Sequence, residues 1–315
     1  MKKMINKTYI EGYLYEHDLT LKVTGPNSKA PGTPFIGGSI SIATDNALLN
    51  VVKVDFTYVT ETTRKGGVNN TYVTLKNIID GVFGTVMKDG KDRAVKLRVD
   101  SAIGLNDFYT ESRNNPGELE LVSAKRNEGG FVHVVSGELT EDEDSRNTFE
   151  CDIVITNVAH KEADEERDIP EKAIIKGCTF NFAGAMLPIE LSATNPNAIA
   201  YFEGLDASPS NPTFTKVWGR QISETIVKKI NEESAFGDAK VREVKSVRKD
   251  FIITGAATEP YVWDEEGFLT AAELKECIAA RETHLATVKQ RYLEYKQSQS
   301  APAAAAAPAT GGFNF

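Results

Sequence analysis

Between Thr8 and Thr24 apolar and polar positions alternate: Ile10 and Leu14 fall on one side, and Tyr9, Tyr13 and Tyr15 on the other. Side chains of a strand point alternately to opposite faces, so this pattern predicts one long strand, bent at Gly12, with an aliphatic face turned to a core. Leu19, Leu21 and Val23 continue the inward set, with Thr20, Lys22 and Thr24 outward. Turn residues fill Gly25 to Thr33, and a second strand is expected from Phe35 to Thr44 with Ile40 and Ile42 inward. In a third, from Asn50 to Thr60, Phe56 and Tyr58 share the parity of Val52 and Val54 and read as core. The period then changes. Leu75, Ile78, Ile79, Val82 and Phe83 are spaced for one face of a helix from Tyr72 to Phe83. Alternation returns from Ala94 to Ser101, where Val95, Leu97 and Val99 interleave with Lys96, Arg98 and Asp100, and further strands fit Glu118 to Ser123 and Gly130 to Ser136.

Three strands, a helix and two strands is the order of the oligonucleotide/oligosaccharide-binding (OB) barrel, whose helix lies between its third and fourth strands. An acidic, turn-rich stretch from Gly137 to Asn147 marks a boundary. Beyond it, strands are expected at Thr148 to Val158, Ala173 to Ala183, Ile189 to Ala193, Ala198 to Glu203 and Thr213 to Ser223. A helix from Ser223 to Asn231 and a basic strand from Lys240 to Thr254 follow. Thr270-Ala-Ala-Glu273 is a capping box, and Leu274, Ile278, Leu285, Val288, Tyr292 and Tyr295 keep a helical spacing with Arg281 as the polar position. The expected fold is therefore mainly β with minor α. It comprises an OB-like barrel over 1–137, a second β-rich barrel over 138–262, a helix over 266–297 and a flexible Ala/Pro tail over 298–315 ending in Phe313-Asn314-Phe315.

Charge and composition narrow the function. The net charge of −9 is concentrated in 138–171, which holds 13 acidic and 3 basic residues, so the remainder is close to neutral and open to an anionic partner. Cys151, Cys178 and Cys277 are widely spaced among apolar neighbours, with neither a disulfide framework nor zinc spacing, as expected for a reducing cytoplasm. No run approaches the roughly 18 apolar residues of a membrane helix, and no apolar segment follows the basic start. Phosphate-loop, dinucleotide, zinc-protease, nucleophile-elbow and Cys-x-x-Cys motifs are absent, and His17, His133, His160 and His284 are scattered. Neither an enzyme, nor a cofactor, nor a metal site is expected.

Tyr9, Tyr13 and Tyr15 suit the stacking of unpaired bases, worth about 1–3 kcal/mol per base, with a surface covered by a helix or by the second domain as the alternative. Lys53, Arg64, Lys65, Lys96 and Arg98, with Lys88, Lys91 and Arg93 nearby, read either as phosphate contacts or as a solvated charged face diluted by four acids. Trp218 and Arg220 form a similar basic-aromatic pairing in the second half. The acidic loops Glu138 to Asp144 and Glu162 to Asp168 read as solvated rather than cation-binding.

Tyr9-Ile-Glu-Gly-Tyr-Leu-Tyr15, the Ile40 and Ile42 strand, Val54-Asp-Phe-Thr-Tyr58 and the aromatic-tipped tail together resemble the OB-fold single-stranded-DNA-binding proteins of tailed bacteriophages. The resemblance implies sequence-tolerant binding of single-stranded DNA in phage replication or recombination, in the host cytoplasm. Phe313 and Phe315 would recruit replication or recombination proteins, although Gly311-Gly312 replaces the usual acids before the tip. The competing expectation is a virion structural or adaptor protein that oligomerises through its β domains and C-terminal helix.

Overall fold

The computed structural model describes residues 4–115, 117–163, 170–232, 240–264 and 269–300. The tail with Phe313 and Phe315, and most of the loop from Glu162 to Asp168, lie outside them. β1 (Asn6–His17) buries Ile10 and Leu14 completely, as its alternation requires. It also changes neighbours part-way along. Through Ile10 it pairs antiparallel with β7 (Asn147–Lys161), and from Tyr13 onward with β3 (Pro34–Ala43). The exchange falls at Gly12, where a Cβ atom would stand 2.0 Å from the Ala43 carbonyl oxygen, so only glycine lets β3 close in.

The first half forms a ring. β1 pairs with β3, β3 with β4 (Val51–Thr60), β4 in parallel with β6 (Leu119–Val134), β6 with β5 (Lys96–Glu111), and β5 with β1 again. α1 (Asn70–Ile79) lies between the third and fourth strands of this ring, and its Tyr72, Leu75 and Ile78 join the strands' aliphatic residues in one core. Each fully buried aliphatic side chain there contributes about 1.5–3 kcal/mol by leaving water. The short α2 (Val86–Asp89) follows α1.

The second half closes the same way. β7 pairs with β8 (Lys172–Phe180), β8 with β9 (Met186–Ala193), β9 in parallel with β11 (Lys240–Ala256), β11 with β10 (Thr213–Glu232), and β10 with β7. α3 (Pro196–Glu203) again falls between third and fourth strands and gives Ile199 and Phe202 to a second core. The OB strand order thus occurs twice. The two first strands, β1 and β7, lie side by side and antiparallel, which relates the rings by an approximate two-fold axis.

Several sequence expectations are corrected. The opening strand stops at His17, where the Asp18 carboxylate takes the Ser39 amide and hydroxyl; β2 (Thr20–Val23) is a separate edge strand with Leu21 and Val23 exposed. Tyr58 is half exposed and rests on Phe35, with ring centroids 4.7 Å apart. The two strands expected at Glu118 to Ser123 and Gly130 to Ser136 are parts of the single strand β6, which runs from Leu119 to Val134. Ala198 to Glu203 is helical because Asn195 caps the Asn197 amide at 2.9 Å and Pro196 fits the first turn. Ser223 to Asn231 is strand, continuously paired with β11 from Lys249 to Val241.

α4 (Ala271–Ser300) starts with the expected capping box: Thr270 Oγ1 accepts from the Glu273 amide at 3.1 Å, and Glu273 accepts from the Thr270 amide at 3.0 Å. Leu274 and Cys277 pack on the outside of the second ring, and the helix then crosses to the β5–β6 hairpin. There Arg281 donates two hydrogen bonds, of 2.5 and 2.6 Å, to the buried carboxylate of Asp107. Ile278 and Tyr295 face solvent instead of the chain.

Gly12→Ala should lower equilibrium stability in urea by about 2–4 kcal/mol, and an unchanged unfolding midpoint would contradict the tight exchange of partners at Gly12. Burial opposes ionisation of Asp107, but hydrogen bonds from Arg281 and Ser123 and the charges of Arg281 and His284 outweigh it, so its carboxyl titrates below the usual range. Because the folded value lies below the unfolded one of about 3.9, the pair stabilises fully above that pH and is lost as pH falls through the folded value. Limited proteolysis should therefore cut α4 in Asp107→Asn at neutral pH, and in the wild type only in strong acid.

Candidate nucleic-acid interface

The β1–β7 pair has one face turned inward and one turned out, and its outer face is the floor of an open cleft of about 1190 Å³. Register places the floor residues. Lys7 and Tyr9 of β1 stand opposite Glu150 and Thr148 of β7, and Trp218 of β10 stands opposite Glu150, with Lys216 two residues before it; Arg220 lies outside this cleft, in a separate pocket beside Asp144. On the other side Tyr9 pairs with Asp100 of β5, which pairs with Phe131 of β6. Two residues from separate halves of the sequence, Tyr9 and Trp218, thus line one cleft.

Aromatic rings dominate the walls. Phe131 is 69% exposed, Phe182 83% and Trp218 42%. Phe182 sits at the turn between β8 and β9, where Asn181 accepts the Ala183 amide at 3.0 Å and the Ala185 amide at 2.9 Å. Trp218 lies across Gly255: a Cβ there would meet the indole at 2.4 Å. The missing side chain gives the indole a flat bed on the sheet, leaving its other face to the cleft.

Tyr9 is oriented from below. Its hydroxyl donates to Glu11, whose other oxygen accepts the Thr140 amide at 2.6 Å. Burial, then the hydrogen bond and charge of Glu11, push the Tyr9 phenol upward. Burial alone would raise Glu11 as well, but the bonds from Tyr9 and Thr140 and the charge of Arg146 hold its carboxyl below the usual range. Thr140 belongs to the acidic linker, which Arg146 fastens to the first ring by donating to the carbonyls of Thr140 and Thr44.

That linker is largely solvated, as expected, and two of its exposed acids reach bases of the rings. Glu138 pairs with Lys96 at 2.8 Å, and Asp144 with Arg220. Lys53 lies 3.6 Å from Asp18, and Arg98 lies 3.8 Å from Asp100. Arg64 and Lys65 are exposed on the turn after β4, and Arg64 lines a second groove of about 580 Å³ beside Tyr58 and Phe131. Tyr13 carries Lys91 over its ring at 5.1 Å, and Tyr15 is the extra residue where the β1–β3 register slips; neither lines the main cleft. Phe131 and Phe182 were missed by the alternation analysis. Gly129-Gly130 before the first, and the Asn-Phe-Ala-Gly turn around the second, are the signals that could have found them.

Burial pushes the Cys178 thiol up to about 12 and Cys151 further still, so neither is poised as a nucleophile. Among the described residues no three His, Cys, Asp or Glu side chains converge as a metal site, and no helix is long and apolar enough to cross a membrane.

Two linked rings of OB strand order, with an aromatic cleft over their junction, define a tandem OB-like β protein. The chain belongs to the YorF family, whose pattern matches residues 5–291. No curated protein matches it. Solved structures similar to it include the wild-type single-stranded DNA binding protein from Thermus aquaticus, 9% identical with a TM-score of 0.42, covering 81% of this chain and 93% of that one. A deletion variant of the same protein is 9% identical with a TM-score of 0.42, covering 84% and 97%.

The bed under Trp218 makes a direct prediction. Acrylamide should quench Trp218 more strongly than the half-buried Trp263, whose Nε1 donates to the Pro212 carbonyl at 3.2 Å. Gly255→Ala should shift the tryptophan emission while leaving the fold intact by circular dichroism, and unchanged emission would contradict the stacked placement.

Proposed function

We propose that this protein binds single-stranded DNA without sequence preference, laying the strand along the cleft over the β1–β7 pair. The observation that carries the reading is the gathering of Tyr9, Phe131, Phe182 and Trp218 around one open cleft. Every unpaired base has two flat faces to offer such rings, whereas a duplex has already spent them on internal stacking. The OB strand order, present in both halves, supports the reading by analogy of fold, since OB barrels serve as platforms for oligonucleotides and oligosaccharides. We take 1–137 and 138–262 as two domains that share this one surface. Tyr13 and Tyr15 are assigned no stacking role, because they stand outside the cleft.

The cleft is sparing with charge. Lys7 and Lys216 face Glu150, Asp100 and Glu128, and Lys216 is already paired with Glu150. Stacking therefore supplies most of the affinity and phosphate neutralisation little. The setting we assign, from the sequence resemblance, is phage DNA replication or recombination, as a binding activity without catalysis.

Fluorescence anisotropy of labelled oligo-dT against salt tests this. Binding should be accompanied by quenching of Trp218, and the log-log salt slope should be shallow, about −1 to −2, as two phosphate contacts require. Tyr9→Ala and Trp218→Ala should each cost about 1–3 kcal/mol, roughly 5- to 150-fold in affinity. Absence of binding at low salt would overturn the proposal.

A further inference from the structure

We infer that the main cleft and the groove beside β4 form one continuous track for a single strand, and that Phe131 is the residue that joins them. This rests on the single-strand reading above. Phe131 lines both grooves, together with the Glu128-Gly129-Gly130 segment before it, and among the described residues no other stretch does so.

The junction is built into the backbone. In the β5–β6 pairing the register slips between Asp100 and Ala102, where Gly129 and Gly130 of β6 bulge against the single Ser101 of β5. Gly129 and Gly130 both adopt positive φ, +42° and +128°, and a Cβ on Gly130 would stand 1.9 Å from the Asp100 carbonyl oxygen. Glycine is therefore required at Gly130, and the bulge re-aims the strand so that the next side chain stands clear of the sheet. A large aromatic ring at that point, 69% exposed, gains nothing for the core.

The two grooves run in different directions. The main cleft crosses strands, from Trp218 on β10 over β7, β1 and β5 to Phe131 on β6, four inter-strand steps or about 19 Å. The second follows β4 from Asp55 to Thr60 and reaches Arg64, about 17 Å along the strand. At about 3.4 Å per stacked nucleotide each holds about five, and the joined track about ten, with the strand turning at Phe131. Tyr58, half exposed against Phe35, and Arg64 then offer a stacking ring and a phosphate contact beyond the turn.

The test compares labelled oligo-dT of about five and about twelve nucleotides on the full chain, wild type against Phe131→Ala and the double variant Tyr58→Ala, Arg64→Ala. The wild type should bind the longer oligomer at least tenfold more tightly. Phe131→Ala, at an exposed site that leaves thermal unfolding unchanged, should lower affinity for the longer oligomer at least fivefold more than for the shorter. The double variant should weaken only the longer. Equal losses at both lengths, or a double variant indistinguishable from wild type, would overturn the joined track while leaving the main cleft as a binding site. Failure of the wild type to bind either oligomer would overturn the single-strand reading itself, and the track with it.

Discussion

The antiparallel pairing of β1 with β7, from Asn6 opposite Cys151 to Ile10 opposite Asn147, is the contact on which the rest depends. Each strand is the first of its ring and gives only its N-terminal half to the other, keeping its C-terminal half for its own second strand. Gly12 makes this sharing possible in β1 by letting the neighbour change within three residues. Asn6 reinforces the junction, donating to the carbonyls of Ile103 and Phe180 and accepting the Ile103 amide, so β1 is fastened to both rings at once. The cleft exists because this pairing leaves one face of two first strands bare between two barrels.

Electrostatics around that cleft is arranged by proximity rather than by net charge. The acidic linker keeps most of its carboxylates in solvent and touches the rings at a few points. It satisfies Lys96, Arg220 and the Asn46 amide, while the buried Arg146 compensates its charge from beneath. Through Thr140 and Glu11 the same linker reaches the hydroxyl of Tyr9. A segment that reads in sequence as surplus negative charge is thus a strap that orients one wall of the cleft.

Much of this was legible beforehand, and what was not has physical reasons. Alternation located Ile10, Leu14, Ile40, Ile42 and Val54 in the core because inward parity leaves no other place for them, and Thr270 to Glu273 announced the start of α4 through its own hydrogen bonds. Tyr58 had inward parity yet lies outside, since parity does not say where a curved strand leaves the core. The stretch from Ser223 to Asn231, expected as helix, is strand because its pairing with β11 decides the matter, a partner that local pattern cannot see. The cleft was hardest to read. Tyr9 and Trp218 lie more than 200 residues apart and meet only because β1 and β10 flank β7, while Phe131 and Phe182 owe their exposure to a bulge and a turn.

The hairpin of β5 and β6 carries a different consequence. It extends past its own ring onto the second, where Lys125 donates to the Glu190 carbonyl at 2.6 Å and lies over the Phe251 ring, and α4 clamps it from outside through Asp107. Two modules on a loose tether engage a common ligand with an effective concentration set by the linker, and must give up relative motion when they do so. Here that motion is surrendered when the chain folds, with the α4 clamp as a further restraint. A ligand spanning both rings therefore meets a surface already in its final form, and the entropy of bringing the halves together does not count against its affinity.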